Sequence, residues 1–382
     1  MIGLKPNLER RDMDGSHPIR VKAAVLRSFG EPLVIEEVTL RKPKATELRV
    51  KVDAVAICHS DITFFDGGWG GDLPAVYGHE AAGRVVEVGA DVTEVAIGDH
   101  VVVTLIRSCG ECRPCRRGRP VACQSKPDTG SPITDSSGAT VAHGLFCGAF
   151  AEQVVVHASQ VVRVDLDAAP ASLLACGVVT GTGAVLRSAS VTAEDRVVVI
   201  GCGGVGLNVV QGARIAGAGV IVAIDPDASK VDAARRFGAT HGIDPTRGDT
   251  AAALREICDG GLADLVFVAT GAPPAYRSAT DLLSVGGALV AVGMPADALD
   301  LNWDPGSLAA ADQRIIGSKM GSAHPQRDIA ELVEHHRAGR LMLNELISAT
   351  YPLEQINEAV EAVRNGSALR NVIVFDHQGG NS

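Results

Sequence analysis

Aromatic side chains are scarce: phenylalanine, tyrosine and tryptophan together make up 3% of the 382 residues. Single-stranded nucleic acid is gripped by stacking on such rings, so that class of function is excluded. Net positive charge is lacking too. The formal charge is −10, whereas a phosphate-backbone partner calls for a cationic face. No apolar run reads as long enough to cross a membrane. The first twenty residues, MIGLKPNLERRDMDGSHPIR, lack the apolar centre of a signal peptide and read as a flexible tail, or an early start site, before a strand at VKAAVL. The nine cysteines are odd in number, and the chain does not call for disulfides. A reducing compartment follows, cytoplasm by default.

Glycine, by contrast, is plentiful at 43 residues, with 46% hydrophobic and 21% charged residues. That composition suits a turn-rich α/β enzyme of more than one core. The first part reads as short β runs, among them LRVKVDAVAI, GRVVEVG and DHVVVTL. Near residue 178 the texture changes to strands alternating with helices: RVVVIG, GVGLNVVQGARIAG, GVIVAID, ASKVDAARRFG, ADLVFVATG, GALVAVG. Such alternation predicts a doubly wound parallel sheet covered by helices. After about residue 320 come two amphipathic helical stretches and a closing strand, NVIVF. The expected division is a β-rich domain over 1–177, an inserted α/β domain over 178–320, and a return to the first domain over 321–382. The polar stretch 124–144 reads as a long surface excursion.

The sequence GCGGVG follows the strand Arg196–Ile200 at once, placing Gly201, Gly203 and Gly206 in G-x-G-x-x-G register. Asp225 closes the next strand, nineteen residues after Gly206. A dinucleotide needs this arrangement: Gly201 makes the tight turn, Gly203 admits the pyrophosphate to the backbone, and Gly206 lets helix and strand pack closely. The helix start offers free N–H groups to the phosphates. Asp225 accepts hydrogen bonds from a ribose diol and repels a 2′-phosphate, so NAD is favoured over NADP.

Four cysteines lie within fifteen residues, Cys109, Cys112, Cys115 and Cys123. Their spacing suits a closed, structural tetrahedral zinc site. An iron–sulfur cluster and unliganded thiols stand as alternatives. A second set is scattered: Cys58 in CHSD, His79 in GHE and Cys176 in LLACGVV. Three such ligands would leave a fourth position for water or substrate. Spacing alone does not bring them together, and a cysteine ending an apolar strand is more often core than ligand.

In combination and order, CHSD, GHEAAGRVVEVGADV, the four-cysteine lobe, CGVVTGTGAV, GCGGVG, IDPDASK, FGATH and SALRNVIVF resemble the zinc-dependent, medium-chain alcohol dehydrogenase family from about Val21 to Phe375. The resemblance implies a GroES-like β-rich catalytic domain plus a Rossmann domain. It implies two zinc ions per subunit: a catalytic one on Cys58, His79 and Cys176 with Glu80 behind it, and a structural one on Cys109, Cys112, Cys115 and Cys123. Asp61 would orient His79, and Ser60 would take the proton from the alcohol. His59 and Arg370 would touch the pyrophosphate, and Asp225 with Lys230 the adenosine ribose. Gly201, Gly203, Gly204, Val205, Gly206, Val268 and Val292 complete the implied cofactor set. The pocket would be lined by Trp69, Leu105, Phe150, Met294 and Lys319. Where many relatives end a proton relay with histidine, this chain has Thr63, leaving water or His59 as the exit.

The implied activity is hydride transfer between a primary or secondary alcohol, or its aldehyde or ketone, and NAD. One rival within the fold is a thiol-dependent formaldehyde dehydrogenase acting on an S-hydroxymethyl thiol. Another is a non-catalytic dinucleotide-binding relative, disfavoured by the intact ligand positions. The strand GALVAVG and the following ALDLNW resemble a sheet edge that pairs between subunits, so a homo-oligomer is expected, a dimer before a tetramer.

Overall fold

A computed structural model describes residues 18–301, 303–366 and 368–376. Most of the expected N-terminal tail, residues 1–17, lies outside the described residues. Ile19 and Arg20, also assigned to that tail, instead open the first strand, Ile19–Leu26.

The β-rich part is built on two sheets. Strands Ile19–Leu26, Val34–Leu40, Ile133–Thr134, Thr140–His143 and Ala75–Val76 close into a small barrel. The second sheet runs in the order Val161–Arg163, His100–Thr104, Glu80–Val88, Glu47–Ala56, Arg370–Val374, Ile347–Tyr351, with Gln153–His157 also pairing to Glu47–Ala56. Alternation explains the barrel: Ala23, Val25, Val38 and Leu40 are buried on one core shared with Val50, Val52 and Phe150. The polar stretch 124–144 is more than a surface excursion. Its Ile133 and Val141 are buried, and its two short strands are staves of the barrel. Arg370–Val374 pairs antiparallel with Glu47–Ala56, which brings the end of the chain back beside its beginning.

The inserted part is a parallel sheet of six strands in the order His241–Ile243, Val220–Ile224, Arg196–Ile200, Ala263–Val268, Leu283–Ala291, Arg314–Gly317. Its central strands, VVVI and VIVAI, are almost wholly buried because helices cover both faces. GALVAVG belongs to an inner strand, flanked on both sides, so it is not the sheet edge. The edge is Arg314–Gly317, and no strand forms over 298–301 among the described residues. Pairing between neighbours, invisible in a single stretch of sequence, decides which strand lies outermost.

The two parts are joined by a helical rod, Ala168–Ala189, which includes wide turns at Leu174–Val178 and Ala184–Ala189. Contrary to the expectation that no apolar run reaches membrane-spanning length, this helix does, by length and composition. Of its most apolar window, 89% is buried inside the protein, as befits a core helix packed between two domains. The change of texture near residue 178 lies within it.

Candidate active site and metal centres

Strand Glu47–Ala56 runs into Cys58, which caps the short helix His59–Phe65. Asp61 makes this turn: its Oδ2 accepts from the Cys58 N–H at 3.0 Å while its own N–H donates to the Cys58 carbonyl at 3.1 Å. The other oxygen, Oδ1, accepts from the Gly78 N–H at 3.2 Å and lies 3.0 Å from His79 Nδ1. Asp61 and His79 are both fully buried. His79 immediately precedes the strand Glu80–Val88, which Glu80 opens, and Cys176 enters from the wide helical turn Leu174–Val178. The side-chain ligand atoms of Cys58, His79, Glu80 and Cys176 all lie within 4.8 Å of one another. The structure therefore brings together the scattered residues that spacing alone left apart.

The cluster fits a metal ion. His79 Nε2 is buried without a hydrogen-bond partner, as is Glu80 Oε1, and an orphaned ring nitrogen aimed among two thiols is the donor set zinc selects. The electrostatics agree. Contact with Cys176 and with His79 pulls the Cys58 thiol well below its usual range, although burial opposes this. Burial raises the Glu80 carboxyl to about 7, against the pull of Arg370. Arg370 donates from Nη2 to Glu80 Oε2, and both side chains are buried. A Cβ on Gly177 would stand 2.1 Å from the Arg370 guanidinium, so the glycine beside Cys176 makes room for this cation.

Among the four lobe cysteines, neighbouring sulfur atoms lie 3.4, 3.6, 3.9 and 4.0 Å apart. A Zn–S bond of about 2.3 Å gives a tetrahedral edge of about 3.8 Å. The sulfurs are thus already arranged for one tetrahedral ion with no position left open. Cys109 Sγ also accepts from the Cys112 N–H, and Cys123 Sγ from the Cys109 N–H, as thiolate ligands do.

Arg370 links the glycine turn to the first cluster, since its side chain both pairs with Glu80 and packs against Gly204. Gly201 has φ +92°, a conformation that suits glycine. A Cβ at Gly206 would fall 1.8 Å from the Gly201 carbonyl oxygen, whereas one at Gly203 would meet nothing within 4 Å. Gly206 is thus glycine for the protein's own packing, and Gly203 opens onto free space. Gly204 and Val205 begin the helix Gly204–Ala216, and Gly204 packs against the Arg370 side chain. Asp225 is buried at its strand end, accepting from Cys202 N–H at 2.9 Å and Asp227 N–H at 3.0 Å. His59 is exposed, and the positive charges of Arg370 and Lys230 both act on it, so three basic groups gather near the turn. Val268 ends a strand with its carbonyl taken by the Val292 and Gly293 N–H groups.

Ser60 is half-buried on the same helix turn as His59. Thr63 Oγ1 donates to the His59 carbonyl at 3.1 Å and is committed to the helix backbone. Of the expected pocket residues, Leu105 and Lys319 line one narrow pocket. Trp69 bonds through Nε1 to the Pro295 carbonyl at 3.3 Å, next to the exposed Met294. Phe150 is different: it has no exposed surface, packs under Gly78 and against Phe65, and belongs to the barrel core. Sequence reasoning missed Met320, whose sulfur lies 3.7 Å from Cys176 Sγ. It also missed the Arg370–Glu80 pair, although a buried acid beside a ligand histidine was a signal that a counter-charge must exist.

A soft-ligand cluster with an orphaned imidazole, linked through Arg370 to a dinucleotide-type glycine turn, defines an oxidoreductase that works with zinc and a dinucleotide. Known proteins agree. The family profile "Alcohol dehydrogenase GroES-like domain" matches residues 44–166, and "Zinc-binding dehydrogenase" matches residues 204–336. The chain is 37% identical to the NDMA-dependent alcohol dehydrogenase of Amycolatopsis methanolica, over 93% of this chain and 99% of that protein. It is likewise 37% identical to the S-(hydroxymethyl)glutathione dehydrogenase of Saccharomyces cerevisiae, over 94% of this chain and 97% of the relative. Among solved structures, an alcohol dehydrogenase zinc-binding domain protein from Burkholderia ambifaria superposes with a TM-score of 0.90 at 34% identity, covering 94% of this chain and 100% of that one. The chain belongs to the zinc-dependent medium-chain alcohol dehydrogenase family.

Proposed function

We propose that this chain transfers hydride between an alcohol and NAD at the buried Cys58–His79–Cys176 cluster, with two zinc ions per subunit. The carrying observation is the unpartnered His79 Nε2 inside that cluster, which Arg370 links to the glycine turn. Zinc held by Cys58, His79 and Cys176 would supply Lewis acidity that lowers the pKa of an alcohol. The dinucleotide, once bound, supplies the hydride acceptor.

This chain's own residues do the rest. Asp61 fixes the His79 ring by occupying Nδ1, so Nε2 alone is presented. Ser60 takes the alcohol proton. Thr63 passes it no further, because its hydroxyl already serves the His59 carbonyl, so the proton leaves through water or His59. Arg370, His59 and the N–H groups of the helix start at Gly204 receive the pyrophosphate. The Asp225 carboxylate, with Lys230 beside it, receives the adenosine ribose and disfavours a 2′-phosphate.

The test is a turnover screen on zinc-replete protein, following reduced-nicotinamide absorbance with NAD and NADP against short, long and aromatic alcohols. NAD-linked turnover of an alcohol class is the expected result. Silence across the panel in zinc-loaded protein would sink the reading. Similarity to the yeast enzyme supports a second reading, oxidation of an S-hydroxymethyl thiol. Formaldehyde turnover that appears only with added thiol would favour it. A homodimer and a cytoplasmic site of action complete the proposal.

A further inference from the structure

Asn208 and Gln211 lie one turn apart on the helix Gly204–Ala216, and both are fully buried. Buried amides need partners, and these two are joined in a single donor-to-acceptor direction. The Met342 N–H donates to Gln211 Oε1 at 2.7 Å, Gln211 Nε2 donates to Asn208 Oδ1 at 3.0 Å, and Asn208 Nδ2 donates to the Gly204 carbonyl at 2.7 Å. Gln211 Nε2 also donates to the Met342 carbonyl at 3.1 Å. The backbone fixes which way each amide points. The Met342 N–H can only donate and the Gly204 carbonyl can only accept, so neither side chain can be turned over.

This row of bonds ends at the start of the helix that follows the glycine turn. The Gly204 carbonyl and the Val205 N–H belong to one peptide unit, so a donor on the carbonyl strengthens the N–H as a donor on the other side. The first N–H groups of a helix have no intrahelical acceptor and are free for an anion. Burial keeps such polarisation strong, because little water is present to screen it. A Cβ at Gly181 would fall 2.6 Å from Asn208 Cβ and 2.5 Å from the Val205 carbonyl oxygen, so the rod Ala168–Ala189 lies directly on this stretch. The same rod carries Cys176, five residues before Gly181. At the other end, Met342 belongs to the returning segment, where the Arg340 carbonyl also accepts from Arg214 Nη2 at 2.6 Å.

We propose that Gln211 and Asn208 are positioning residues for the dinucleotide, forming an amide relay from Met342 to Gly204 that polarises and aims the Val205 N–H at the pyrophosphate. Neither side chain touches the cofactor. Both act through the Gly204–Val205 peptide, so their effect falls on the phosphates and spares the adenosine end. The relay rests on the dinucleotide part of the dehydrogenase reading.

The test is competition against NADH fluorescence on zinc-replete protein, with ADP-ribose, which carries the pyrophosphate, and adenosine, which lacks it. Asn208→Leu keeps the side-chain shape and removes the relay. ADP-ribose should then bind roughly tenfold more weakly, the scale of a coupling between sites, while adenosine affinity shifts by less than about twofold. Asn208→Ser should recover most of the loss, because a hydroxyl can donate to the carbonyl four residues back. Gln211→Met breaks the relay one step further from the phosphates and should weaken ADP-ribose by a smaller factor, about threefold. It carries the test if Asn208→Leu does not fold. Equal losses for ADP-ribose and adenosine would reduce both residues to packing and overturn the relay. So would ADP-ribose affinity that stays unchanged in the variants, with the dinucleotide site left standing. Absence of NADH binding by the unmodified protein removes the dinucleotide reading, and the relay with it.

Discussion

Asp61 Oδ1 lies 3.0 Å from His79 Nδ1 while Asp61 Oδ2 receives the Cys58 N–H at 3.0 Å, so one buried carboxylate sets the positions of two candidate ligands. Neither contact is with the metal position itself. The geometry of the cluster is therefore held from outside, by a group whose loss would loosen both a thiol and an imidazole at once.

Replacing Asp61 by Asn tests this. The amide keeps a single acceptor oxygen and cannot serve Cys58, Gly78 and His79 together. Metal affinity at the Cys58–His79–Cys176 site should fall by roughly 10–100-fold, the usual cost of removing such a support. Metal at the cysteine lobe should stay. Chelator competition followed by metal analysis would resolve two classes of zinc, with only one of them weakened. Equal weakening of both would mean that Asp61 acts on the whole fold.

The two glycines of the turn make opposite predictions. Gly206→Ala forces a methyl group to within 1.8 Å of the Gly201 carbonyl, so the strand–helix packing must open and stability should drop by about 3 kcal/mol or more. Gly203→Ala meets nothing within 4 Å, and stability should stay within about 0.5 kcal/mol. Its effect should appear in dinucleotide affinity, because the methyl group fills the space left for the pyrophosphate. Urea unfolding and cofactor titration of both variants would check the contrast. An unchanged affinity in Gly203→Ala would place the dinucleotide elsewhere.

The cysteine lobe should contribute to stability and leave the chemistry alone. Cys112→Ser removes one corner of a tetrahedron whose edges are already 3.4 to 4.0 Å. Loss of a structural metal is among the larger single-residue effects, here about 2–4 kcal/mol. Thermal unfolding should shift downward while turnover per zinc-loaded catalytic site is retained at low temperature. Loss of activity with unchanged thermal stability would reverse the roles of the two sites.

How far the sequence carries depends on whether a signal is local. The glycine turn and the cysteine lobe are each contained in short stretches, and their chemistry can be read from spacing. Cys58, His79 and Cys176 are far apart in sequence and meet only because the chain crosses from sheet to helix. Their order among family motifs identified them where spacing could not. Arg370 and Glu80 were each visible, but their pairing spans 290 positions and needed the closing strand in place. The helix Ala168–Ala189 misled because apolar composition is shared by membrane and core helices, and only packing tells them apart. Phe150 is fully buried in the barrel core, a placement that depends on strands meeting across the barrel and has no local signal.

Glu47 gives a prediction about acid stability. Its carboxylate is 1% exposed and accepts from Arg41 Nη1 at 2.6 Å, Arg41 Nη2 at 3.0 Å and the Lys44 N–H at 2.8 Å. Burial alone would raise the carboxyl, but the Arg41 and Lys44 contacts outweigh it and lower the group from 4.5 to about 2. A depressed acid stabilises the fold fully above its unfolded value. As pH falls below 4.5 the unfolded chain binds the proton first, and the contribution drains away until about pH 2. The shift corresponds to about 3 kcal/mol. Glu47→Gln should therefore be less stable than the parent at neutral pH by a similar amount, and the gap should narrow as pH drops through that window. Denaturant unfolding of both proteins, compared at each pH, cancels any metal loss common to the two. A gap that stays constant from neutral pH down through the window would show that Glu47 acts through packing and not through its charge.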